Sequence, residues 1–347
     1  MKGVPVIGLR DLGALILVGV LSGCGSSSDG GGGAAGAGGT GGAGGAEAPL
    51  QDQYVLSDQE LVPESGTFDP TSRSFYVGSA TRGNITRVEA DGTESILFTP
   101  PGSETWRTLG MTADDAARRL WVCAQRMDEV ASEIWVFDLD SGNRDLVLNL
   151  ADAAADSTCN DIAVDSASLA YISDSGNPRV YRADAGAETV MVWADDPLLS
   201  PNSGGTFGGN GIAVTEDDSF VIVSKTSTGA PPRLLRIAHD DPSSIGELVA
   251  TPALEGFADG MSFLDGDLYI AMVASGNVAR LTSDDDWATA SVVIVAAEPG
   301  APVPGISTVR PAEGVLYAIY SDITSNLLGI DPTPPFRIFK VDLTSFE

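Results

Sequence analysis

The sequence predicts an all-β fold: a six-bladed β-propeller with four-stranded blades, closed by an N-terminal segment that pairs with the last blade. Three observations predict it. A unit of strand, turn, strand and turn recurs six times, its openings about 45 to 51 residues apart, which is the span of a propeller blade. The apolar segments are short and bounded by Gly, Asp, Ser and Pro turns, as strands are. Within the repeating region almost nothing reads as a long amphipathic helix.

The elements follow in chain order. Lys2 and Arg10 precede the apolar run LGALILVGV, Leu12 to Val20. That run is too short for a lasting membrane span and has the shape of a secretory signal. Leu21-Ser22-Gly23-Cys24 follows directly and resembles the lipobox of bacterial lipoproteins. The resemblance implies a signal peptide over 1–23 and a lipid on Cys24, anchoring the protein to a membrane of the cell envelope. Gly25 rather than Asp after the cysteine favours the outer membrane. Residues 24–48 continue as GSSSDGGGGAAGAGGTGGAGGAEA after Cys24, a Gly-rich flexible tether that cannot bury apolar area. The folded domain is expected over 49–347. Of the three cysteines, Cys123 and Cys159 remain after Cys24. Export permits a disulfide between them, and two separate buried thiols are the alternative.

The segment QDQYVLSD, Gln51 to Asp58, is expected to pair with the last unit and close the ring. The six units then open ESGTFDP, LGMTADD, NDIAVDS, NGIAVTE, DGMSFLD and PGISTVR. Their second strands are SFYVGS, RLWVCAQ, LAYISDS, FVIVSK, LYIAMV and VLYAIY. Two β-sandwiches are the rival architecture, but a sandwich does not require a repeating unit of one length.

In a propeller the innermost strands line the central channel, so the opening residues Glu64, Leu109, Asn160, Asn210, Asp259 and Pro304 should ring one mouth. Four of them carry side-chain oxygens of the kind preferred by Ca²⁺, with Mg²⁺ or Mn²⁺ as alternatives. Two carboxylates offset a divalent charge; without a cation they would repel, and one would hold a proton. Asn and Asp also favour strand starts because they bond their own backbone. Four oxygen-bearing residues at one register of separate repeats is the pattern that points beyond that role to a metal site.

At these residues the chain resembles the gluconolactonase/regucalcin-like (senescence-marker, LRE-like) family and, more distantly, paraoxonase and strictosidine-synthase-like propellers. The motifs that carry the resemblance are PESGTFDP, CNDIAVDS, GNGIAVTEDD and ADGMSFLDGDLYIA. It implies that Glu64, Asn210 and Asp259 hold a catalytic divalent metal, Ca²⁺ or Zn²⁺, with Asn160 a ligand that leans towards substrate. It also implies that Asp259 helps to deprotonate a water, and that Asp161 holds a second, structural cation. The activity implied is hydrolysis of a lactone or related ester to a hydroxy acid. Two departures stand out: Thr158 occupies the place where gluconolactonases often have Arg, and no His occurs near the second opening, His239 being the only one in the chain. Arg107 is a candidate for binding a substrate carboxylate and Trp106 for the pocket rim, while Trp121 and Trp135 are expected in the core.

Charge narrows the partners. With 48 Asp and Glu against 19 Lys and Arg, the formal net charge is -29. Such a surface repels phosphate backbones, so nucleic acid is not expected as a partner. A monomer with a small-molecule substrate is expected. A different class of function, a non-catalytic propeller lipoprotein that binds a ligand or protein, would use the same ring without chemistry, because a fold does not decide function.

Overall fold

The second strand of each repeat is buried along nearly its whole length, and the outer strands are not. In a computed structural model, which describes residues 49–346 apart from 129–130, 202–206, 227–229, 298–304 and 328, strands β1 (Gln53–Val55) through β24 (Arg337–Lys340) account for almost all regular structure. The signal peptide, Cys24, the linker and Pro304 lie outside the described residues. No helix among the described residues is long and apolar enough to cross a membrane.

Four antiparallel four-stranded sheets form first. They are β2 to β5 (Gly66–Asp69, Ser74–Gly78, Ile85–Glu89, Glu94–Phe98), β6 to β9 (Trp106–Asp114, Arg119–Arg126, Ala131–Asp138, Arg144–Asn149) and β10 to β13 (Cys159–Val164, Ala170–Asp174, Arg179–Asp184, Thr189–Asp195). The fourth combines β22 to β24 (Ile306–Ala312, Val315–Tyr320, Arg337–Lys340) with β1. The remaining strands, β14 to β17 (Gly209–Val214, Phe220–Lys225, Arg233–Ala238, Ile245–Thr251) and β18 to β21 (Ala258–Leu264, Asp267–Met272, Asn277–Thr282, Thr289–Ala296), make one eight-stranded sheet. Here the structure departs from separate blades. Two four-strand meanders meet edge to edge through parallel pairing of β17 with β21, Val249 opposite Thr289 to Thr251 opposite Ser291. Both are outermost strands with unpaired backbone groups, and this short seam pairs some of them.

The burial pattern follows from stacking these sheets around an axis. β3 and β11 are buried at every residue, whereas the outer β21 alternates exposed and buried over most of its length. A strand with sheets on both sides reads as a continuous apolar run, and one with solvent on one side alternates. Apolar clusters fill the spaces between neighbouring sheets; Tyr76, Met111, Trp135 and Phe137 join the first to the second. The first strands touch in closed order, β2, β6, β10, β14, β18, β22 and back to β2.

Closure is made as expected by the N-terminal segment. β1 pairs antiparallel with β24, Gln53 opposite Phe339 through Val55 opposite Arg337. Tyr54 and Tyr317 pack on Phe75 with ring centroids 5.4 and 5.1 Å away, joining this sheet to the first. Trp121 and Trp135 are core residues, both fully buried.

Cys123 and Cys159 form a disulfide with Cα atoms 6.0 Å apart, linking β7 to the start of β10. Both are fully buried, and Cys159 directly precedes Asn160. The bridge spans 36 residues of sequence, so converting both to serine should lower stability by roughly 2–4 kcal/mol. Denaturant unfolding of the oxidised protein and the double variant measures this; equal stabilities would show that packing alone joins the two sheets.

Candidate functional site

The opening residues sit in breaks of the strand ladder. Between β10 and β11 the register shifts between Cys159 and Ile162, so Asn160 and Asp161 form the irregularity. The same shift falls between Gly209 and Ile212, around Asn210, and between Ala258 and Met261, around Asp259. It falls between Thr108 and Met111 at Leu109. A bulge bends its strand and re-aims side chains. Here it recurs at one end of successive inner strands.

The glycine after several opening residues has a steric cause. A Cβ on Gly110 would come within 2.3 Å of the Asp161 Cα, one on Gly211 within 2.1 Å of the Asp259 carbonyl oxygen, and one on Gly260 within 2.2 Å of Thr308 Oγ1. Neighbouring inner strands therefore approach so closely at the mouth that any larger residue would push them apart. Side-chain bonds fix the same contacts. Ser173 Oγ donates to the Asn210 carbonyl at 2.5 Å, and Asn210 Nδ2 donates to the Ala258 carbonyl at 3.1 Å. Asn160 is clamped on both sides. The Thr158, Cys159 and Asp161 N–H groups donate to Asp174 Oδ1, Ser132 Oγ and Ser173 Oγ at 3.2, 3.1 and 3.0 Å. Glu64 follows a strained turn: Val62, a β-branched residue, has φ of +43°, an arrangement that costs on the order of 1–3 kcal/mol.

These elements bring Glu64, Asp161 and Asp259 into mutual electrostatic range. Glu64 is held well above the usual carboxylate range, first by burial, then by the charges of Asp259 and Asp161. Asp259 is pushed up to about 8 by burial, then by Asp161, against a stabilising hydrogen bond from Asn210. Glu64 Oε2 and Asn160 Oδ1 are buried and have no hydrogen-bond partner among the described residues. Buried acceptors are nearly always paired, so the unpartnered oxygen of Glu64, in a carboxyl repelled by Asp259 and Asp161, marks a place that lacks positive charge.

This donor set fits a divalent cation. Glu64, Asp259, Asn160 and Asn210 would hold it, the acids matching its charge and the amide oxygens suiting a hard ion. Among the described residues no group of three His, Cys, Asp or Glu side chains could hold a metal ion.

The residues around this set are arranged as follows. Asp161 carries a guanidinium: Arg310 Nη2 donates to its Oδ1 at 3.2 Å, and the Ile162 N–H to the same oxygen at 2.9 Å. Arg310 supplies positive charge where the family resemblance implies a second cation. From β22 it also donates to the carbonyls of Gly66, Met261 and Met111 at 2.9, 2.8 and 3.3 Å, reaching β2, β18 and β6. Arg107 lies near enough to Glu64 for their charges to interact but forms no ion pair among the described residues; its Nε and Nη2 both donate to Gln125 Oε1. Trp106 is turned away. Neighbours on a strand face opposite sides, and its ring packs on Trp135 at 5.0 Å with the Arg126 guanidinium over it at 5.5 Å. Trp106 is half-buried and packs against the core between the first two sheets. Leu109 is buried. His239 lies far along the sheets, bonded to Tyr171 and Asp165 at 2.8 and 3.1 Å. Two outer clefts, of about 320 and 210 Å³, are lined by none of the ring residues.

Sequence reading missed Arg310 and Gln125. The available signal for Arg310 was one cation inside an otherwise small and apolar inner strand, ISTVRPA.

Residues 62–302 match the SMP-30/Gluconolactonase/LRE-like region. The chain belongs to that family. The match takes in Glu64, Arg107, Asn160, Asn210 and Asp259 and ends before Arg310. No curated protein matches the sequence. Among solved structures, the major allergen Mala s 1 of Malassezia sympodialis is 18% identical, with a TM-score of 0.68 over 84% of this chain and 96% of that one. A gluconolactonase of Xanthomonas campestris is 17% identical, with a TM-score of 0.58 over 84% and 89%. A luciferin-regenerating enzyme is 14% identical, with a TM-score of 0.57 over 84% and 95%. Likeness at this level speaks to a propeller-like all-β fold, which the chain shares with proteins of different function.

Proposed function

We propose that this SMP-30/gluconolactonase-family protein is a metal-dependent hydrolase of a lactone or related ester. Its site is the mouth of a six-bladed propeller, with Ca²⁺ the cation that best suits the donor set. One observation carries the reading: two buried acids at inner-strand openings, Glu64 and Asp259, lie within range of each other's charge, and one Glu64 oxygen has no hydrogen-bond partner among the described residues. Dividing the eight-stranded sheet at its parallel seam gives six four-stranded units, in keeping with the six sequence repeats. The lipobox-like LSGC supports a lipid on Cys24 and attachment to the bacterial cell envelope, the outer membrane being favoured, and the disulfide supports an oxidising compartment.

A divalent cation, when bound, supplies Lewis-acid polarisation of the ester carbonyl and charge for the developing oxyanion. Asp259 accepts a proton from the attacking water; buried and fixed by its hydrogen bond with Asn210, it holds one orientation. Water adds to the acyl carbon, the acyl–oxygen bond breaks, and the ring oxygen leaves as a hydroxyl by taking back the proton held on Asp259. Asn160 orients the substrate from the third sheet, and Arg107 lies at its edge.

Metal analysis of the purified protein should find a divalent ion, and chelation should remove hydrolysis across a lactone panel. Hydrolysis that survives complete metal removal overturns the proposal. A pH arm follows from the raised acids. In the metal-free protein Asp259 binds a proton more tightly folded than unfolded. Its stabilising contribution is full below the ordinary value of 3.8 and is lost as pH rises through about 8. A cation takes the place of that proton, so the rise in Tm on adding calcium should be larger near about pH 8 than near about pH 5.

A further inference from the structure

Arg107 is a cation within charge range of Glu64. Many arginines of the chain are held by carboxylates, for example Arg118 by Asp69 and Arg233 by Glu247. Arg107 has none among the described residues. Its Nε donates to Gln125 Oε1 at 2.6 Å and its Nη2 to the same oxygen. Nη1 has no hydrogen bond among the described residues. Gln125 is buried and lies directly opposite Arg107 across β6 and β7, so it fixes the fork without neutralising it. Arg107 is half-buried, burial lowers the basicity of its guanidinium, and its charge acts on Glu64.

The charges of the mouth then leave one remainder. With the cation of the proposed function bound, Glu64 and Asp259 balance it. Asp161 and Arg310 balance each other. Arg107 keeps a full positive charge beside the reacting centre. A planar guanidinium with free N–H groups is matched by a carboxylate, which it grips through two parallel hydrogen bonds.

We infer that Arg107, held by Gln125, is a carboxylate seat at the channel mouth, so that the bound substrate or its product presents a carboxylate there. This rests on the proposed hydrolase reading for the position of the reacting centre. The carboxylate has two sources: a substituent already on an acidic lactone, or the acid that ring opening releases.

The test is titration of a small hydroxycarboxylate into wild type, Arg107→Gln and Arg107→Lys by calorimetry, each loaded with calcium and each shown to be folded by thermal unfolding. Arg107→Gln should weaken binding at least tenfold, the loss expected of a charge-assisted bond, and Arg107→Lys should fall between. Kinetics separate the sources. A rise in KM confined to an acidic lactone identifies a substrate carboxylate; weaker product inhibition with acidic and neutral lactones alike identifies the released one. Equal binding by wild type and Arg107→Gln overturns the inference. A wild type that binds the carboxylate through Arg107 but opens no lactone overturns the hydrolase reading and leaves the seat standing.

Discussion

Asp259→Asn should abolish hydrolysis while the protein remains folded. The substitution keeps size and hydrogen-bonding capacity but removes the charge that offsets a cation and the basic oxygen that accepts the proton of water. Loss of a general base alone accounts for roughly 10²–10⁴-fold in rate, and weaker metal retention adds to it, so kcat/KM should fall by at least about 10³-fold. Stability should move the other way. In metal-free wild type, burial and Asp161 oppose ionisation of Asp259 and hold its carboxyl up at about 8. Asparagine carries no charge to be opposed, so the metal-free variant should be at least as stable as wild type in mildly alkaline buffer, and the advantage should shrink as pH falls and Asp259 takes up its proton. Lactone assays paired with thermal unfolding under chelation read both effects. Activity close to wild type would remove Asp259 from the mechanism, and collapse of the fold would assign it a structural role instead.

The parts of this site that could be read from sequence were those that repeat. Asn160, Asn210 and Asp259 were visible because each opens a copy of the same unit, and Gly211 and Gly260 mark where inner strands nearly touch. The bulges that aim those residues leave no signature, since a register shift depends on the partner strand. Alternation along β6 turns Trp106 towards Trp135 and Arg107 towards Gln125, partners that only the folded sheet brings together. The seam between β17 and β21 was not legible because edge-strand pairing uses backbone groups that every residue has. Arg310 shows in the sequence only as a lone cation, and its partners do not show, for a related reason. Most of its acceptors are backbone carbonyls, one of them on Gly66, 244 residues away in sequence.

Arg310→Met should be the most destabilising single substitution among the residues at the channel. The methionine keeps much of the volume and removes every donor. Four inner strands besides its own lose a common tie: the carbonyls of Gly66, Met261 and Met111 and the carboxylate of Asp161 are left without that partner. Arg310 and Asp161 are both buried, at 7% and 3% exposure, so water cannot replace the lost bonds without opening the mouth. Removing one member of such a buried pair costs about 3–5 kcal/mol, because the survivor is an uncompensated charge, and in a domain of this size Tm should fall by roughly 5–15 °C. The cost should ease in acid. Burial already raises Asp161 and the guanidinium opposes that rise. Without Arg310 the carboxyl should hold its proton to higher pH, so stability retained at low pH should be lost as pH rises. A double-mutant cycle with Asp161→Asn separates the ion pair from the carbonyl bonds. If charge dominates, the second substitution should recover much of the loss. If it recovers nothing, Arg310 acts chiefly as a hydrogen-bonding brace between strands, and the negative charge of Asp161 is balanced by something other than this arginine.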